Sequence, residues 1–77
     1  MVNVLFFAEL QEAVGKERVA VDAVGLTIAE LKQQCSQEYD VPRLDQAMVA
    51  LNEEYTADDA LLADGDTVAF IPPVSGG

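Results

Sequence analysis

The sequence predicts an α+β domain in which a mixed sheet wraps on one main helix. Three observations predict it. Apolar and polar residues alternate in short runs at both ends of the chain, the mark of half-buried strands. One longer apolar stripe at helical spacing, with a clear start signal, occupies the middle. Beyond residue 71 the chain reads Pro72-Pro73-Val74-Ser75-Gly76-Gly77, which suits neither helix nor strand. The expected organisation is therefore a domain over residues 1–71 and an extended tail over residues 72–77.

Residues 2–7, Val-Asn-Val-Leu-Phe-Phe, form the first strand. A short helix follows over about residues 8–14, with Gly15 placed to end it. Residues 17–22 alternate as a second strand with Val19 and Val21 facing inward. The main helix starts on a capping box, Thr27 at the N-cap and Glu30 three residues on. Leu26 and Leu31 fall at the two hydrophobic-staple positions. This helix runs to about Tyr39, and Pro42 lies beyond its end. Residues 48–51 form a short strand that Asn52-Glu53-Glu54 turns toward Tyr55-Thr56. Asp64-Gly65-Asp66 is a tight turn into the last strand, residues 67–71.

Alternation in the outermost strands predicts a surface. Val2, Val4 and Phe6 share one face, as do Val68 and Phe70, and this wholly apolar face should meet the helix. The opposite face begins polar at Asn3 and Thr67 and becomes apolar toward Phe7 and Ile71. One long helix covers one side of a sheet, so Leu5, Phe7, Ala69 and Ile71 are expected as a partly exposed apolar patch near the root of the tail, of the kind that marks partner surfaces. The competing expectation is that the short first helix or a loop covers them.

Composition narrows the function. Seventy-seven residues with 51% hydrophobic content make one folded domain near the lower size limit for a single core. Fourteen acidic against four basic residues give a net charge of −10, which argues against nucleic acid and anionic membranes as partners. The charge suits steering toward a basic protein surface, or simply solubility. No apolar run is long enough for a membrane span, no signal peptide is read at Met1, and a single cysteine allows no internal disulfide, so the expected location is cytoplasmic.

Most catalytic constellations are missing. Without histidine there is no Ser-His or Cys-His nucleophile and no His-based metal site. No glycine-rich phosphate loop is present. The acidic pairs Glu53-Glu54 and Asp58-Asp59 read as solvated turns. Cys35 shares the helical stripe of Ile28 and Leu31, which marks it as a buried structural thiol. The isolated chain is therefore not expected to be an enzyme. The tail is the remaining candidate. Pro72 and Pro73 hold it extended, and Gly76 and Gly77 carry no Cβ to obstruct close approach to another surface. Five residues beyond Pro72, the Gly77 carboxylate can reach about 16–18 Å. A frayed end fits poorly with two prolines, no charged side chain and a closing pair of glycines.

Phe6-Phe7-Ala8-Glu9-Leu10, Leu26-Thr27-Ile28-Ala29-Glu30-Leu31, Leu51-Asn52-Glu53-Glu54-Tyr55 and above all the stretch from Gly65 to Gly77 resemble the small subunits of molybdopterin synthase, ubiquitin-like sulfur carriers. The resemblance covers essentially the whole chain and implies a β-grasp fold. It also implies a cycle. An E1-like adenylyltransferase, using ATP and Mg²⁺ that it holds itself, adenylates the Gly77 carboxylate. Sulfur from a donor protein replaces AMP to give a thiocarboxylate. The tail then enters the large subunit, in a heterotetramer, and donates sulfur to cyclic pyranopterin monophosphate; two deliveries build the dithiolene. On this resemblance Gly76 and Gly77 pass a narrow channel with Pro72, Pro73, Val74 and Ser75 leading to it, while Phe7 and Ile71 match interface positions on the sheet, beside the Leu5 of the expected patch. The chain itself would carry no cofactor and no metal. A thiamine-pathway sulfur carrier shares fold and glycines, but the Phe-Ile-Pro-Pro-Val stretch disfavours it. A covalent protein modifier attached through Gly77, with Lys16 and Lys32 as the lysines available for chain building, and a plain binding module are the other readings.

Overall fold

The first and last strands lie side by side at the centre of the structure, running parallel, and everything else is arranged around that pair. A computed structural model describes residues 1–41 and 43–72. Its elements are β1 (Val2–Phe6), α1 (Ala8–Val14), β2 (Arg18–Val21), α2 (Ile28–Tyr39), a 3₁₀ turn (Leu44–Gln46), β3 (Met48–Leu51), β4 (Glu54–Tyr55) and β5 (Thr67–Ile71). The five strands form one mixed sheet in the order β2-β1-β5-β3-β4. Only the β1–β5 pair is parallel; the other pairings are antiparallel.

The side-chain period of two decides which face is core. Val2, Val4 and Phe6 of β1 and Val68 and Phe70 of β5 are buried, while Asn3, Leu5, Thr67, Ala69 and Ile71 are only partly so. Ile28, Leu31 and Cys35 bring the apolar stripe of α2 into the same core. Burying residues such as Phe6, Phe70, Ile28 and Leu31 contributes roughly 1.5–3 kcal/mol each relative to exposure. Phe6 packs at 5.9 Å between ring centroids from Phe70 and edge-on at 6.2 Å from Tyr39, tying the strand pair to the last turn of α2.

The start of α2 is fixed by local chemistry. Thr27 Oγ1 accepts from the Glu30 N–H at 3.2 Å, and Glu30 Oε1 accepts from the Thr27 N–H at 3.0 Å. Leu31 is fully buried and Leu26 packs against the core, as the staple spacing predicts. Two further helix-start donors are satisfied from afar: Ile28 N–H by the Ala60 carbonyl and Ala29 N–H by that of Asp58. The α2 chain stops at Asp40 in a left-handed conformation; Pro42, the expected stop beyond it, lies outside the described residues.

Several boundaries differ from the sequence reading. Strand β1 ends at Phe6, not Phe7. The Phe7 N–H still donates to the Phe70 carbonyl at 3.2 Å, but its own carbonyl accepts from Leu10 N–H in the first turn of α1. Gly15 ends α1 at φ 82° as expected. Strand β2 is Arg18–Val21, shorter by a residue at each end, because only these face Val2 to Leu5 of β1. The β3–β4 turn uses two residues, Asn52 (φ 51°) and Glu53 (φ 72°), both left-handed, so the second strand is Glu54–Tyr55 and not Tyr55-Thr56. The 3₁₀ turn over Leu44–Gln46 has no counterpart among the elements expected from the sequence.

Lys32 also departs from expectation. It lies on α2 only 6% exposed, its ammonium donating to the Ala47 carbonyl at 3.0 Å and meeting the Asp58 carboxylate at 3.1 Å. It is a structural tie and not an accessible lysine; Lys16 is exposed.

Replacing Thr27 with alanine removes the cap on the only long helix among the described residues. The expected cost is about 1 kcal/mol, read in urea unfolding as a lower midpoint at unchanged slope.

Candidate docking face

Parallel pairing places the exits of β1 and β5 at the same end of the sheet, so Phe7 sits beside the point where the tail leaves Ile71. Phe7 is 44% exposed. With Leu5, Ala69, Ala50, Thr67 and the Asn52–Glu53 turn it lines a shallow depression on the face opposite α2. No residue of either helix lines that depression, and Leu10 of α1 is buried in the core on the other face of the sheet, so α1 does not cover it; the Asn52–Glu53 turn borders it and leaves Phe7 exposed.

Register shows how far this face extends. Arg18, Leu5, Ala69, Ala50 and Tyr55 are successive partners across all five strands, and residues paired in this way point to the same side. One row nearer the tail, Met48 stands opposite Ile71. Met48 is 43% and Tyr55 70% exposed. The face therefore runs from Phe7 and Ile71 through Met48 to Tyr55. Sequence reasoning missed Met48, Ala50 and Tyr55. The alternation of β3, with Val49 buried between exposed Met48 and half-buried Ala50, is the signal that could have found the first two.

Of the other expected site residues, Pro72 is half-buried. Pro73, Val74, Ser75, Gly76 and Gly77 lie outside the described residues. Among the described residues no three His, Cys, Asp or Glu side chains gather as a metal site, and no described helix is long and apolar enough to cross a membrane. Cys35 is fully buried, and burial, reinforced by the nearby Glu38 carboxylate, pushes its thiol up to about 11. An uncharged, enclosed thiol is a poor nucleophile.

Residues 4–77 match the ThiS family. The chain belongs to the ThiS family. Among curated relatives of this ThiS-family chain, the molybdopterin synthase sulfur carrier subunit of Escherichia coli is 38% identical over the full length of both chains. That of Mycobacterium tuberculosis is 39% identical, covering 99% of this chain and 96% of its own. Among solved structures, SAMP1 from Haloferax volcanii is 30% identical with a TM-score of 0.78, over 99% of this chain and 98% of its own. A chain of the complex of subunits 1 and 2 of the molybdopterin-converting factor from Helicobacter pylori is 26% identical with a TM-score of 0.71, over 99% of this chain and 97% of its own. These neighbours and the mixed sheet with its helix establish the β-grasp, ubiquitin-like fold.

The exposure of Phe7 makes a clean prediction. Phe7→Ser leaves the domain folded, with a stability change of about 1 kcal/mol or less, and lowers partner affinity by about tenfold or more. A variant that unfolds places Phe7 in the core and refutes the docking face. For Cys35, a thiol reagent at neutral pH is expected to leave the native chain unmodified and to label it fully in denaturant; rapid native labelling contradicts the burial.

Proposed function

We propose that this chain is the sulfur carrier subunit of molybdopterin synthase, delivering sulfur from a thiocarboxylate at Gly77. What supports the reading is the end-to-end likeness to the Escherichia coli sulfur carrier subunit. The docking face agrees with it, because it opens at the root of a tail that reads Pro72-Pro73-Val74-Ser75-Gly76-Gly77.

A free carboxylate is a poor electrophile. An E1-like adenylyltransferase, holding ATP and Mg²⁺, joins the Gly77 carboxylate to AMP and releases pyrophosphate, which creates an acyl phosphate with a good leaving group. A donor protein supplies sulfur at the sulfide level; it attacks the acyl carbon, the acyl–phosphate bond breaks, AMP leaves, and a thiocarboxylate remains. Inside the large subunit the thiocarboxylate sulfur attacks a side-chain carbon of cyclic pyranopterin monophosphate, and the carbon–oxygen bond there breaks as the carbon–sulfur bond forms, its oxygen leaving with the phosphate group or as water. Water then cleaves the acyl–sulfur bond, leaving sulfur on the substrate and restoring the carboxylate. Two such deliveries make a dithiolene. The domain's part is positional: Leu5, Phe7 and Ile71 seat it on the large subunit in a heterotetramer, and the tail spans the remaining distance. The net charge of −10 steers the encounter toward basic surfaces on these partners.

The likeness to SAMP1, one of the small archaeal modifier proteins, keeps a second reading in view, covalent attachment through Gly77. With Lys32 buried, Lys16 is the one exposed lysine for chain building, so single attachment fits this chain better than a polymer.

Deleting Gly77 tests the delivery reading. The terminus retreats by about 3.5 Å, as much as the roughly 3–3.5 Å that separates reacting atoms in a productive complex. Sulfur transfer is expected to vanish while the unfolding midpoint stays unchanged. Full activity in the deletion variant refutes the mechanism.

A further inference from the structure

We infer that Asn52 is a positioning residue for docking: its side chain clamps the β3–β4 hairpin to the turn before β5 and so fixes the outer edge of the face that meets the large subunit. The inference rests on the sulfur-carrier reading above.

Three hydrogen bonds make the clamp. Asn52 Oδ1 accepts from Thr67 N–H at 3.0 Å. Asn52 Nδ2 donates to Asp66 Oδ1 at 3.1 Å. The Asn52 backbone N–H donates to the Thr67 carbonyl at 2.8 Å. Asp66 is anchored in turn, its other carboxylate oxygen accepting from Ala63 N–H at 2.8 Å and its carbonyl accepting from Asn3 N–H at 2.9 Å. The Asn52 amide thus links the hairpin to β5, to the turn and, through Asp66, to β1.

The hairpin needs such a tie. Its second strand has two residues and lies at the edge of the sheet, paired with β3 alone. Its turn places Glu53, which has no preference for left-handed backbone, at φ 72°. Val49 of β3 belongs to the core, but the turn and β4 add nothing to it, since Asn52, Glu53, Glu54 and Tyr55 are all exposed. What it contributes is surface. Tyr55 ends the row that starts at Leu5, and Asn52 and Glu53 close one end of the depression. A clamp on a turn and a strand that bury nothing is explained by what they present.

The bonds from Ala63 N–H and then from the Asn52 amide hold the Asp66 carboxyl below the ordinary aspartate value, so it is charged at neutral pH. Asn52→Asp therefore sets two carboxylates against each other and breaks the clamp. Exchanging the pair, Asn52→Asp with Asp66→Asn, rebuilds it in reverse. The oxygens at position 52 accept from Thr67 N–H and from the amide at position 66, whose oxygen still accepts from Ala63 N–H.

The test measures affinity for the purified molybdopterin synthase large subunit, with amide exchange of the free chain alongside. Asn52→Asp is expected to bind about fivefold more weakly or worse. It should also speed exchange of the Thr56 amide, which is bonded to Val49 across the hairpin, while central amides such as Phe70 keep their protection. The exchanged pair should recover affinity to within about twofold. A folded Asn52→Asp chain with wild-type affinity, or a loss that the exchange fails to repair, overturns the inference. If Phe7→Ser weakens binding and Asn52→Asp does not, this inference alone falls. If the wild-type chain does not bind the large subunit, the sulfur-carrier reading falls and takes this inference with it.

Discussion

One helix covers one face of the sheet, and most of what this protein can do follows from that constraint. At about 1.5 Å per residue a twelve-residue α2 is roughly 18 Å long, enough to seal the side formed by Val2, Val4, Phe6, Val68 and Phe70 but nothing beyond it. The other face keeps whatever apolar residues the strands put there. Parallel pairing of β1 with β5 then decides where they matter, because both strands run out at the same end. Phe7 and Ile71 stand together where the tail begins. The exposed apolar face and the root of the tail are thus set side by side by topology.

The division of labour within the chain is equally clear. The core, the capping box and the Lys32 tie hold a small domain together. Cys35, the one side chain with nucleophilic potential in the core, is silenced by burial. The chemistry proposed for the protein sits on a backbone carboxylate.

What the sequence made legible was local or periodic. Thr27 and Glu30 lie within one turn, so their mutual bonds are written in the spacing. Alternation in β1 and β5 assigned the two faces because both strands are long enough to count. Features that depend on pairing across the fold were hidden. Tyr55 joins the docking row only through the register with Ala50, which a two-residue turn shifted by one position from the expected one. Lys32 looked like any surface lysine because its partners Ala47 and Asp58 are distant in sequence. The end of β1 moved because the Phe7 carbonyl turned into a helix. Of the tail, Pro72 is where the described structure stops, so its reading rests on residue chemistry and on the family.

Intact mass of the chain, measured after incubation with the activating enzyme, ATP and a sulfur source, bears most directly on that reading. A carrier gains the mass of one oxygen-to-sulfur exchange, localised to Gly77 and lost again when the large subunit and its substrate are supplied. An unchanged mass, or the appearance of higher-mass conjugates in place of the exchange, contradicts sulfur delivery.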